Sequence, residues 1–213
     1  MARPLDAIAA FHNAFRRDMA QIDRAALAWA RGDQGSDTTQ TLARYRFFNE
    51  VLVWHANGEE AVVFPFVERE APLLSEPYIQ DHHGLDAASE RLDEAVTAGD
   101  PIEAARATAA FRFHLDMHLG KEDRQVYPLI KERIRLPEER GMGATISSMV
   151  PRERMPEVIA WIFPLLGQHD RENLVQVFQM LMPPEVFQGV KGLVEKTLGD
   201  EWPALAGRVG LAD

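Results

Sequence analysis

The sequence predicts an all-α protein in which an antiparallel, up-and-down four-helix bundle is followed by an additional region of short helices. Apolar residues recur at intervals of three and four along four long segments, which is the period of a helix. Clusters of glycine, proline and aspartate separate these segments and mark turns. A His-x-x-x-Glu stretch also occurs twice in the same register, once in the second segment and once in the fourth.

The first two helices are predicted over residues 5–31 and from residue 38 to about residue 70. In the first helix, the apolar side chains from Ile8 to Trp29 follow the helical spacing. Residues 32–37 between the helices have the sequence Gly-Asp-Gln-Gly-Ser-Asp, which is typical of a loop. The two helices are therefore expected to form one antiparallel pair.

The third and fourth helices are predicted over residues 78–98 and 101–135. A short connection bracketed by two prolines precedes the third helix. Between the third and fourth, Asp100 is a suitable N-cap, and Pro101 suits a first helical turn because its missing N–H is not needed there. These helices are expected to form the second antiparallel pair of the bundle.

The remaining segment predicts a separate region of shorter helices. Prolines interrupt it repeatedly, and its apolar residues cluster between them. We therefore divide the chain into a four-helix domain, residues 1–136, and a C-terminal helical extension, residues 137–213. The extension is expected to pack on apolar side chains at the end of the bundle, or to form a homodimer surface.

The repeated stretch has the pattern His-x-x-x-Glu-acid-x-x-Val-aromatic-Pro. Its histidine and glutamate are His55 and Glu59 in the first copy and His118 and Glu122 in the second. Residues four apart on a helix lie on one face, so each histidine points in the same direction as its glutamate. The two pairs are therefore expected to face a common ion.

One histidine from each remaining helix completes the predicted metal site. Counted from the turns, His12 and His82 fall at about the level of the repeat histidines. Four imidazoles and two carboxylates are enough to hold two metal ions, with the carboxylates bridging and two histidines on each ion. The predicted metal ligands are His12, His55, Glu59, His82, His118 and Glu122.

Two other histidines of the bundle remain alternatives. His83 is about 100° from His82 around the third helix, so only one of the two faces the core, and we favour His82. His114 lies one turn before His118 and is either an added ligand, a residue that contacts a ligand, or a packing residue. His169, just before Asp170, is expected to be a loop residue at the start of a helix, without a metal role.

Composition excludes several classes of protein. The formal net charge is −10, which argues against a nucleic-acid surface and against binding to acidic membranes. The N-terminus does not have the apolar core of a signal peptide, and no apolar run is long enough to span a bilayer. The chain has no cysteine, so any metal must use nitrogen and oxygen ligands. We therefore expect a cytoplasmic protein.

These residues together resemble the hemerythrin-like, or HHE cation-binding, family over residues 1 to about 135. The order His, His-x-x-x-Glu, His, His-x-x-x-Glu is that family's motif. The resemblance implies a non-haem di-iron centre with an oxo or hydroxo bridge, held by the six ligands named above. Nitrogen and oxygen ligation also suits manganese or zinc.

The sequence differs from the oxygen-carrying hemerythrins, which use five histidines. Their third helix has His-x-x-x-His, where this chain has Tyr78 and Asp86 at the corresponding offsets from His82. Their carboxylate in the fourth helix follows the histidine by five residues, so Asp123 is a rival to Glu122. The six-ligand pattern is more similar to bacterial HHE proteins linked to iron handling and to nitric oxide or peroxide responses.

The resemblance implies that the protein handles O2, peroxide or nitric oxide as a small ligand in a stress or iron-related response. The alternative is a non-catalytic iron or oxygen sensor, or an iron-storage module, that acts through a partner surface in the C-terminal segment. Formation of a product from peroxide or nitric oxide separates the two hypotheses. His114 and Tyr127 are candidates for a proton relay.

Overall fold

The computed structural model describes residues 2–33 and 35–211 of the chain. Within these two ranges every regular element is helical and no β-strand occurs. The predicted all-α class is therefore confirmed. The four long helices of the predicted bundle are present, and shorter helices follow them.

The first half of the bundle contains two long helical segments. Helix α1 spans Asp6–Ala30. The second segment consists of α2, Ser36–Gly58, a π-helical turn over Glu59–Val63, and α3, Phe64–Glu70. These bounds agree with the two predicted helices to within two residues at each end.

The second half repeats this construction. Helix α4 spans Glu76–Ala98. The next segment consists of α5, Pro101–Lys121, a π-helical turn over Glu122–Val126, and α6, Tyr127–Arg133. The Asp100 side chain accepts hydrogen bonds from the first backbone amides of α5, at 3.0 Å each, as the sequence predicts for an N-cap.

Each copy of the repeat forms one of the two π-turns. In the first copy, the Phe64 N–H donates to the carbonyl of Glu59, five residues earlier. The next residue, Pro65, has no N–H, and in an α-helix its ring would clash with the carbonyl four residues before it. A wider turn before the proline relieves this conflict. The second copy is built in the same way, with Tyr127 donating to Glu122.

By compactness the chain divides into two units. One is Phe15–Arg133, and the other combines Met1–Ala14 with Ile134–Asp213, so α1 contributes residues to both. The predicted domain division between residues 136 and 137 stays a prediction. The same is true of the expected packing of the C-terminal extension on the bundle.

The unit Phe15–Arg133 has an aromatic core between the middle parts of its long helices. Phe15 and Phe48 meet edge to face with ring centroids 5.6 Å apart, and Phe111 packs edge to face on Phe48 and on Tyr45. The Tyr45 hydroxyl donates to the Ser89 hydroxyl at 2.7 Å, which satisfies a buried polar group. These contacts join α1, α2, α4 and α5.

In the part of the chain that the structure describes, the other unit contains five more α-helices. Within it, Phe11 packs against Trp161, and the Arg3 guanidinium donates to the fully buried carboxylate of Glu139. The paired charge explains how a carboxylate is tolerated in that interior. The helices are α7, Leu136–Ser148; α8, Met155–Leu165; α9, Gln168–Leu181; α10, Pro184–Leu198; and α11, Trp202–Val209.

Candidate metal centre

Four side chains converge in the interior of the unit Phe15–Arg133. Glu59 and Glu122 are the first residues of the two π-turns, His82 lies on α4, and His118 lies in the last turn of α5. Each residue offers one ligand atom, and these atoms all lie within 4.8 Å of one another. All four residues are at most 4% exposed. The result is a compact, buried set of nitrogen and oxygen donors.

The carboxylate of Glu59 lies between histidines of two different helices. Its Oε1 is 3.3 Å from Nε2 of His55 on α2, and its Oε2 is 3.4 Å from Nε2 of His82 on α4. The two oxygens of one carboxylate therefore face different imidazoles. His55, Glu59 and Glu122 also each place one ligand atom within 4.8 Å of the others.

His82 and His118 approach each other through their Nε2 atoms, which are 3.1 Å apart. Nε2 of His118 is also 3.4 Å from Oε1 of Glu122. Two nitrogen ligands that are each about 2.0–2.1 Å from one ion lie about 3 Å from each other. The spacing of these two imidazoles therefore fits two ligands of one cation.

The outer nitrogens of the same two imidazoles face carboxylates near the surface. Nδ1 of His82 is 2.8 Å from the Glu60 carboxylate, and Nδ1 of His118 is 3.3 Å from Asp81, which is also bonded to Lys121. An imidazole that donates from Nδ1 to a carboxylate presents the lone pair of Nε2 on its other side. These contacts therefore fix the orientation in which both rings can bind a metal.

Tyr127 donates a further hydrogen bond to the carboxylate of Glu59. Its side chain is buried, and its hydroxyl donates to Oε1 of Glu59. Burial, together with the charges of Glu59 and Glu122, raises the pKa of Tyr127 well above its usual value. The hydroxyl therefore keeps its proton and remains a donor to the carboxylate.

Burial also shifts the pKa values of the donor groups. Burial and the nearby charge of Glu59 raise the pKa of Glu122 well above its usual value. Burial lowers the pKa of His118 to about 4, although the charge of Glu59 opposes this effect. The donors are therefore a neutral imidazole and two closely spaced carboxylates. A bound cation would stabilise this arrangement, because it compensates the charges of the carboxylates.

The structure places the predicted ligands as follows. His55, Glu59, His82, His118 and Glu122 come together in one buried cluster. His12 lies on α1 and is fully buried. Its role as a ligand stays a prediction, as do the ligand roles of the other five.

The alternatives named from the sequence lie in different surroundings. His83 is exposed, whereas His82 is buried. Asp123 is half-buried and accepts a hydrogen bond from Arg16 at 2.6 Å. His114 is exposed beside Gly84, at the outer surface of α5.

Sequence reasoning missed the π-turns and the two carboxylates at the outer nitrogens. A signal for the π-turns exists, because the buried positions from His118 onward are spaced by four in three successive steps, to Glu122, Val126 and Ile130. Each step of four drifts by about 40° on an α-helix, and a π-turn holds more residues per turn and corrects the drift. The repeat also marks Glu60, as its shared acid, but does not indicate the partner of that acid, and no comparable signal marks Asp81.

A buried cluster of imidazole and carboxylate donors between the helices of a bundle defines a metal-binding helical protein. The comparison with known families agrees. The chain belongs to the family described as the hemerythrin HHE cation binding domain, whose sequence model matches residues 3–130. The resemblance predicted from the motif is therefore confirmed.

Three curated plant proteins are similar to most of this chain. Zinc finger protein BRUTUS of Arabidopsis thaliana is 25% identical over 181 residues, which cover 82% of this chain and 14% of BRUTUS. Two BRUTUS-like zinc finger proteins of the same plant are 23% and 22% identical, over 83% and 82% of this chain and 15% of each relative. The chain thus spans about one seventh of the length of these relatives.

The matches to the plant proteins extend past the helices of the bundle. A share of 82% of a 213-residue chain exceeds the predicted bundle domain of residues 1–136, so part of the following segment is included. The words zinc finger in the relatives' names do not carry over to this chain, which contains no cysteine. No solved structure matches the chain significantly.

In residues 2–33 and 35–211, none of the helices combines the length and the apolar character that crossing a bilayer requires.

Proposed function

We propose that the buried cluster holds two iron ions and that the protein handles a small ligand, namely O2, peroxide or nitric oxide. The observation that supports this proposal is the placement of Glu59, whose two oxygens face imidazoles of α2 and α4 at 3.3 and 3.4 Å. A carboxylate in this position can bridge two cations, because each oxygen has a different set of neighbouring donors.

Each member of the cluster has a role in this proposal. His82 and His118 would hold one ion, and His55 would hold the other together with His12, the ligand that the sequence predicts on α1. Glu59 and Glu122 would be shared by both ions, since both carboxylates are buried among the imidazoles. Manganese and zinc are the competing metals, because they accept the same donors.

A bound pair of iron ions supplies redox chemistry and open positions for a small ligand. The side chains around it control protons and orientation. Tyr127 keeps a proton at its hydroxyl and directs it at Oε1 of Glu59, so it stabilises the charged carboxylate. Glu60 and Asp81 hold protons at the Nδ1 atoms of His82 and His118, which keeps both Nε2 atoms available as ligands.

Metal analysis of the purified protein tests the proposal. We expect about two irons per chain and near-ultraviolet absorption in the oxidised protein, which zinc would not give. Glu59→Ala and Glu122→Ala should lose iron, because both remove a buried bridging carboxylate. The matched control is His114→Ala, which removes an exposed histidine of α5 and should retain both ions. Equal iron loss in all three variants, or a single zinc per chain, would contradict the proposal.

A second experiment separates turnover from binding alone. Iron-loaded protein is mixed with hydrogen peroxide or with nitric oxide, and the loss of each compound is followed over many equivalents. Consumption beyond the amount of iron, absent in Glu59→Ala, supports handling of the compound as a substrate. Binding that stops at one equivalent supports the alternative of a sensor or storage module.

A further inference from the structure

A narrow cavity leads from the surface between α2 and α4 to the imidazoles of the cluster. It is lined by His55, His82 and His118 at its inner end and by the apolar side chains of Leu52 and Leu85. Both leucines are at most 6% exposed. His82 on α4 and His118 on α5 are at most 4% exposed. The inner part of this cavity therefore lies in the interior of the unit.

The outer end of the cavity reaches the surface. Val53 and Asp86 also line it, and both are exposed, Val53 by 37%. A wider groove of about 430 Å³ between the same two helices shares Asn49 and Val53 with the cavity. Groove and cavity are thus adjacent, with Asn49 and the exposed Val53 in the walls of both.

We infer that this passage, the α2–α4 passage, is the route by which the small ligand reaches the metal centre, and that it selects small, uncharged molecules. The inference rests on the proposed function, because it assigns an entrance to the same site.

Size is the first basis of selection. The narrow cavity offers about 20 Å³ to a water-sized molecule. About 10–15 Å³ measured in this way is enough to hold one water. The cavity therefore admits molecules such as water, dioxygen, nitric oxide or hydrogen peroxide one at a time, and larger organic substrates do not fit without movement of the helices.

Charge is the second basis of selection. The carboxylate of Asp86 stands at the mouth. In the adjoining groove, Arg46 donates to Asp93 at 2.8 Å, so these two charges largely compensate each other. A mouth with excess negative charge slows the approach of anions and leaves neutral molecules unaffected.

The test measures association rates of two small probes with the iron-loaded protein. Nitric oxide is the neutral probe, added to reduced protein, and azide is the anionic probe, added to oxidised protein, both followed by stopped-flow absorption. Val53→Trp places a large ring over the mouth, and Ala56→Leu fills the cavity wall one residue after His55. Both variants should slow both probes by about tenfold or more, because entry then requires the helices to move.

Matched variants separate entry from stability and size from charge. Val186→Trp is the control for Val53→Trp, because Val186 is also exposed, by 47%, and lies outside the passage on α10. It should leave both rates unchanged. Asp86→Asn should speed azide by about threefold at low salt and leave nitric oxide unchanged, since only the anion senses the lost charge.

The outcomes distinguish the two proposals. If iron-loaded wild-type protein binds neither probe, the proposed function fails. If it binds them and the rates of Val53→Trp and Ala56→Leu stay within twofold of wild type, the α2–α4 passage is refuted and the proposed function stands. Equal acceleration of both probes by Asp86→Asn would overturn selection by charge. Iron content and melting temperature are measured for every variant, so that a rate change is compared only between loaded, folded proteins.

Discussion

Replacing Glu60 with glutamine tests how much the hydrogen bond at Nδ1 of His82 contributes to metal affinity. The bond is 2.8 Å long, and its acceptor follows the proposed ligand Glu59 directly in the chain. Burial lowers the pKa of His82, but the hydrogen bonds and charges of Glu59 and Glu60 outweigh burial, and the net shift is upward. The carboxylate of Glu60 therefore makes the imidazole more basic and a stronger ligand.

The expected magnitude follows from the exposure of the two partners. Removing an outer hydrogen-bond partner of a metal-binding histidine typically costs about 10–100-fold in metal affinity. The His82 side chain is only 4% exposed, but that of Glu60 is 40% exposed, so solvent screens its charge. Glutamine also retains an oxygen that can accept from Nδ1. We expect a loss of about tenfold, or about 1.4 kcal/mol, for Glu60→Gln, and a larger loss for Glu60→Ala.

An exposed ion pair at the start of α5 provides the control. Glu103 pairs with Arg106, and its side chain is 53% exposed. Competition with a chelator, followed by metal analysis, measures the affinity of wild type, Glu60→Gln and Glu103→Gln. Glu103→Gln should remain within about threefold of wild type, as expected for an exposed ion pair. Equal losses in both variants would refute a specific role for the bond to His82.

Three further predictions concern stability and the π-turns. Because the pKa of Glu122 is raised in the folded state, its unfavourable contribution grows as pH rises above the usual carboxylate pKa. The stability of metal-free wild type relative to Glu122→Gln should therefore fall from pH 5 to pH 8, because His118 titrates in both proteins and only Glu122 differs; an equal pH dependence of the two melting temperatures would contradict this. Pro65→Ala restores a backbone N–H after the first π-turn, so we expect weaker iron retention with a similar or higher melting temperature. Asp100→Ala removes the N-cap of α5 and should cost about 1 kcal/mol in denaturant unfolding, with iron content unchanged.

The helical framework could be predicted from the sequence because its signals are local. The apolar spacing and the turn residues determine where α1 and α4 begin and end and where α2 and α5 begin, and the Asp100-Pro101 boundary is an example. The buried cluster followed from the same periodicity, since residues four apart share a face. Five of the six predicted ligands lie together in one unit, and the sixth, His12, is buried on α1.

The parts that escaped prediction depend on rotation and on contacts between helices. Glu60 reaches His82 across 22 positions of sequence, and Asp81 reaches His118 across 37. Both are charged residues next to a predicted ligand in the sequence, where a solvent-exposed position is the ordinary expectation. Their spacing does not indicate a partner on another helix. The α2–α4 passage could not be predicted from the sequence either, because it is a gap between side chains that are individually ordinary core and surface residues.

The π-turns link two properties of the protein that are usually independent. Each turn contains one residue more than an α-helical turn. All side chains after it are therefore rotated about the helix axis by about 100° relative to those before it. Deleting a single residue such as Ala61 would make the helix more regular, and it would also rotate Phe64 and Val67, which are buried, relative to Glu59. The helix geometry that places the carboxylate is thus the same geometry that closes the hydrophobic end of the bundle, so neither can change without the other.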